Sequence, residues 1–105
     1  VLAEPARMAT TPLDPAQITA ALQELPGWKF EHDAFVRTFQ FGGFKEAMSF
    51  MVRVGFEAEA MDHHPEWTNV YARVAIRLTT HDAGNRVSAK DVALARKISA
   101  LSWVP

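Results

Sequence analysis

The sequence predicts a two-layer α+β domain, with three helices on one face of a four-stranded antiparallel sheet in the order α-β-β-α-β-β-α. Three observations carry this prediction. Apolar spacing switches between a helical period and a two-residue period in that order, and the strand-like segments come in pairs with short connections, which makes each pair antiparallel. The chain has 105 residues and 49% hydrophobic content, enough for one core. Helices packed on a single face of such a sheet complete the two layers.

Residues 12–105 are expected to form the single domain, and residues 1–11, which carry no helical or strand pattern, a flexible lead-in. Asp14, Pro15 and Gln17 signal a helix start: a capping oxygen, a proline where no amide hydrogen is needed, and a capping-box partner. Leu13 and Ile18 can staple that cap. Ile18, Ala21, Leu22 and Leu25 form the apolar face, and Pro26 and Gly27 stop the helix. Trp28 to Glu31 and Phe35 to Phe41 then alternate apolar with polar residues around His32 and Asp33, which predicts a β-hairpin with His32 on the surface.

Gly42 and Gly43 break the second strand, and a helix is predicted over Phe44 to Met61. It is apolar nearly all round: Phe44, Ala47, Met48, Phe50, Met51, Val52, Val54, Phe56, Ala58 and Met61 cover more than the one stripe a sheet can bury. A second stripe in so small a domain calls for another surface, most economically a second copy of the chain. A homodimer or homotetramer through helix 44–61 is therefore expected. Pro65 ends the helical region. Trp67 to Asn69 form a short companion segment, and Val70 to Leu78 read as one half-buried strand with Val70, Ala72, Val74, Ile76 and Leu78 on the buried face. Asp82, Gly84 and Asn85 mark a loop. Ser88 caps the last helix with Asp91 as its acidic partner, and Leu94, Ala95, Ile98 and Leu101 face the core.

Eleven basic against twelve acidic side chains give a net charge of −1, so no global field draws the chain to nucleic acid or anionic lipid. Cysteine is absent, which excludes disulfides and thiolate metal sites and fits a cytoplasmic address. No apolar run reaches the roughly twenty residues of a membrane span, and Val1 to Thr11 lack a signal-peptide pattern.

The chemistry concentrates in EAEAMDHHPEWTNVY, Glu57 to Tyr71, and in His81; three of the four histidines lie there. Imidazole gives and takes protons near neutrality, so histidines at a helix end and a strand end point to acid and base work. The alternative is that His63 and His64 merely cap a helix C-terminus and His81 is a loop residue. Zinc is the next rival, with Asp62 and Glu59 nearby. Adjacent His63 and His64 project in different directions, however, whereas ligand pairs sit one helical turn apart or alternate along a strand. No metal is expected. A nucleophile triad has no support, since there is no cysteine and no serine in a nucleophile-elbow context.

Glu59, three residues, His63-His64-Pro65, five residues, Tyr71, nine residues, His81, nine residues and Asp91 make a spaced signature. In this signature the sequence resembles the pterin-4a-carbinolamine dehydratases. The flanking HHPEWTNVY and LTTHDAG segments resemble that family too, and a weaker likeness runs from Leu25 to Leu101. The loop after His81 is one residue longer than the family's usual form.

The resemblance implies the same fold, assembly as dimers or dimers of dimers, and dehydration of a 4a-hydroxytetrahydropterin to quinonoid dihydropterin without cofactor. That reaction belongs to tetrahydrobiopterin recycling after an aromatic amino acid hydroxylase. It also implies His63 and His81 as proton-transfer groups, with His64 orienting the substrate. Glu59 then holds the His63 imidazole or the pterin's amide edge, or is only a solvated carboxylate. Trp67 is a wall for the bicyclic ring or a core aromatic. Asp91 anchors His81 or Arg73, or only caps its helix. Some family members also act as dimerisation partners of transcription factors, and a role near molybdopterin metabolism is a third reading.

Overall fold

A computed structural model describes residues 10–103; most of the lead-in, residues 1–9, lies outside the described residues. The elements are α1 (Pro15–Gln23), β1 (Lys29–Glu31), β2 (Ala34–Gln40), α2 (Phe44–Met61), β3 (Glu66–Val70), β4 (Arg73–Leu78) and α3 (Ala89–Ala100), with a short 3-10 turn at His81–Ala83. The predicted order and fold class hold. The sheet runs β1-β2-β4-β3, antiparallel throughout, so β4 is central and ends beside the start of β3, with Glu66 opposite Arg77.

Local signals act as read. Gln17 N–H donates to Asp14 Oδ1 at 2.8 Å and Asp14 N–H to Gln17 Oε1 at 2.9 Å, a reciprocal cap for α1. His32 and Asp33 both take positive φ, 50° and 62°, the geometry whose twist matches a two-residue hairpin. His32 is exposed, and its carbonyl accepts from Arg77 across the sheet. Phe35 and Phe39 of β2 and Val74, Ile76 and Leu78 of β4 share the helix-facing side, because side chains two apart point the same way. Onto them pack Phe50, Val54 and Ala58 of α2 and Leu94, Ala95 and Ile98 of α3. Arg37 also lies on that face, its guanidinium 4.3 Å from the Phe39 ring centre and bonded to the Pro26 carbonyl; burial lowers its pKa from the ordinary value.

One strand reading is corrected. Val70 does not continue into β4 but ends β3, 59% exposed, and the chain reverses at Tyr71, which takes φ 52°. The Asn69 side-chain amide ties the reversal by donating to the carbonyls of Tyr71 and Arg73. No glycine marks this turn, so alternation alone ran through it. The predicted bounds of α2 hold, and so does its double apolar character. Ala47, Phe50, Val54 and Ala58 face the core, while Phe44, Met48, Val52 and Phe56, spaced four apart, form a second and exposed stripe. No helix among the described residues is long and apolar enough to cross a membrane.

Candidate active site

The antiparallel register brings the α2–β3 connection and the segment after β4 to the same end of the sheet. Between them opens a hollow of about 330 Å³, lined by Asp62, His63 and His64 from the first and Thr79, Thr80, His81, Asp82 and Asn85 from the second, with Lys90 of α3. Three histidines, two of them adjacent and the third 18 positions beyond the first, thus share one polar cavity.

The end of α2 sets the direction of each ring. Asp62 adopts the left-handed conformation (φ 51°, ψ 42°), and His63 N–H reaches back to the Ala58 carbonyl at 3.1 Å. This sharp stop turns His63 inward, where it is 9% exposed, and leaves His64 outward at 56%. His63 Nε2 lies 2.7 Å from Oδ1 of Asp91, a fully buried carboxylate at the start of α3. Asp91 Oδ2 accepts from Thr80 Oγ1 at 2.6 Å and from Ser88 N–H at 2.9 Å. The capping role read for Asp91 is therefore present, and the same side chain reaches into the site.

Two partner assignments are corrected. Asp91 anchors His63, not His81 or Arg73, because the start of α3 meets the residues that follow α2. Glu59 bonds His64 Nε2 at 2.8 Å, not His63, since the turn at Asp62 has carried His63 away from it. That pair is exposed and weak by itself. His81 is held loosely, its Nδ1 3.4 Å from Asn85 Oδ1. Trp67 points to the helix side of β3, packs half-buried against the core and does not line the hollow. Among the described residues no group of three or more His, Asp or Glu is arranged to hold a metal ion.

Sequence reading missed Thr80, which is 2% exposed. Continuing the alternation of β4 past Leu78 puts Thr80 on the buried face, and a hydroxyl there must find a partner. It also missed Asp82 and Lys90 and weighed Asp62 only as a metal ligand; the charges of all three border the hollow.

A small two-layer α+β domain with a histidine-lined polar hollow at one end of its sheet is the class that fold and site define. A family model described as pterin 4 alpha carbinolamine dehydratase matches residues 11–101, and the chain belongs to that family: it is an enzyme of the hydro-lyase class. A relative from Opitutus terrae, placed in the same family by its name, is 61% identical over 94 residues, covering 90% of this chain and 97% of its own. One from Thermomicrobium roseum is 50% identical over 90 residues, covering 86% and 96%. A crystal structure of a transcriptional coactivator/pterin dehydratase from Brucella melitensis superposes with a TM-score of 0.84 at 38% identity, covering 88% of this chain and 99% of that one.

Proposed function

We propose that the protein removes water from a 4a-hydroxytetrahydropterin to give the quinonoid dihydropterin, with His63 and His81 as the proton-transfer groups. The observation that carries this reading is the buried Asp91–His63 pair opening into a hollow shared with His64 and His81. Hydroxide is a poor leaving group. One imidazolium protonates the C4a hydroxyl, the C4a–O bond breaks as the N5 lone pair forms the C=N bond, and the N5 proton passes to a neutral imidazole. The atoms balance with water as the only by-product, so an acid and a base suffice. His64, exposed and paired with Glu59, orients the substrate. Asp91, fully buried and bonded through both oxygens, acts through His63. Trp67 belongs to the core in this reading and not to the substrate wall.

The physiological setting that fits is pterin recycling beside an aromatic amino acid hydroxylase. A homo-oligomer through the exposed stripe of α2 accompanies it, because Phe56 at 71% exposed and Val52 at 49% are large apolar groups in one row. The test generates 4a-hydroxytetrahydropterin in a rapid-mixing cell and follows quinonoid product by absorbance. Wild-type protein should accelerate its formation, and His63→Ala and His81→Ala should each reduce kcat about 10²- to 10⁴-fold while remaining folded. No acceleration over buffer by the wild type refutes the reading.

A further inference from the structure

His63 presents two ring nitrogens, and the proton-transfer reading leaves open which one meets the substrate and what decides it. The buried hydrogen bonds around Asp91 settle both. Thr80 Oγ1 lies between Asp91 Oδ2, at 2.6 Å, and Ser88 Oγ, at 2.7 Å. A carboxylate only accepts, and a hydroxyl has a single hydrogen. Thr80 must therefore donate to Asp91, and Ser88 must donate to Thr80. Ser88 Oγ in turn accepts from Lys90 N–H at 3.2 Å, which fits that direction.

Oδ2 is thus occupied by Thr80 O–H and Ser88 N–H, and Oδ1 alone faces His63 Nε2. Nε2 must then carry the hydrogen. The other nitrogen, Nδ1, has no partner among the described residues, where no buried side-chain nitrogen or oxygen lacks one. Nδ1 is therefore not a buried atom, and the open space that His63 borders is the hollow.

We propose that Thr80 and Ser88 are positioning residues, their hydroxyls aligned in one direction so that Asp91 keeps the His63 hydrogen on Nε2 and leaves the Nδ1 lone pair to the substrate. The arrangement is buried from end to end, with Asp91 and Ser88 fully covered and Thr80 at 2%, so water does not compete for these bonds. It reaches the hollow only through the imidazole. Protonation of Nδ1 then makes an imidazolium whose far side is already bonded to a carboxylate, and its loss restores the same neutral ring, so one group serves repeated turnovers without rotating.

This inference rests on His63 being a proton-transfer group, and the experiment separates the two. Nitrogen-15 NMR of the imidazoles reads the tautomer directly, without substrate. Neutral His63 in the wild type should be protonated at Nε2, with a slowly exchanging Nε2 hydrogen. Thr80→Val nearly preserves shape but removes the hydroxyl: the Nε2 hydrogen should exchange faster and broaden, and kcat should fall roughly tenfold with KM unchanged, as for loss of other groups that orient a reactive side chain. Thr80→Ser, which keeps the hydroxyl, should recover both, and Ser88→Ala should show a smaller change of the same kind. Neutral wild-type His63 protonated at Nδ1 overturns the proposal. So does a Thr80→Val protein with unaltered exchange and turnover, or a Thr80→Ser protein as impaired as Thr80→Val. Should His63→Ala retain full turnover while the nitrogen spectra come out as expected, the ring assignment stands and the proton-transfer role of His63 falls.

Discussion

Replacing Asp91 by asparagine changes one atom in the buried network and tests whether His63 works as a base through its free nitrogen. The carboxylate accepts three hydrogen bonds, from His63 Nε2, Thr80 Oγ1 and Ser88 N–H. An amide in its place has one accepting oxygen and one donating nitrogen. The Ser88 N–H is fixed backbone and cannot reverse, so the amide oxygen must stay on that side. Its NH₂ then meets His63 Nε2, which can keep a bond only by giving up its hydrogen. The neutral ring is driven to carry that hydrogen on Nδ1, and the lone pair that faced the hollow is lost. Removing a well-placed base costs about 10² to 10⁴ in rate, or about 3–5 kcal/mol in the barrier. The fold loses far less, about 1–3 kcal/mol, because neutral hydrogen bonds replace charge-assisted ones of the same geometry. A domain of ordinary stability remains native at that cost. Asp91→Asn is therefore expected to give a folded protein by urea titration, with kcat in the rapid-mixing absorbance assay reduced at least a hundredfold. A kcat within about threefold of wild type refutes the assignment of His63.

The other expectations concern the exposed parts of the site and of α2. His64→Ala should raise KM about tenfold with kcat changed only a few-fold, since His64 is half-exposed and its partner among the described residues is the exposed Glu59; a hundredfold fall in kcat measured by the same assay would make it a proton-transfer group instead. Met48→Glu combined with Phe56→Glu places charges in the outer stripe of α2 and leaves its core face untouched. Sedimentation at micromolar concentration should show an oligomer for the wild type and a monomer for this variant, and a monomeric wild type excludes assembly through the helix.

Much of the fold was legible in the chain because its signals are local. The caps at Asp14 and Ser88, the period of 3.6 residues over Phe44 to Met61 and the alternation in β2 and β4 each depend on neighbours within one turn or one strand pair. The turn at Tyr71 was not legible, since the residue that takes the positive φ is a tyrosine and the asparagine that ties the reversal stands two positions before it, inside the apparent run of the strand. The histidines themselves, His63, His64 and His81, could be picked out by type and spacing, and the resemblance supplied the company they keep.

Their partners were another matter. Which carboxylate serves which imidazole depends on the left-handed turn at Asp62, which turns His63 inward and leaves His64 exposed, and on the start of α3 meeting the end of α2. Sequence distance says nothing about either: Asp91 stands 28 positions from His63, and the pairing forms because two helix ends meet there. The sequence alone determined the order of the elements and singled out the histidines. Only the packing of those elements decided which residues touch, because hydrogen bonds between distant segments are fixed by where the core brings the backbones together.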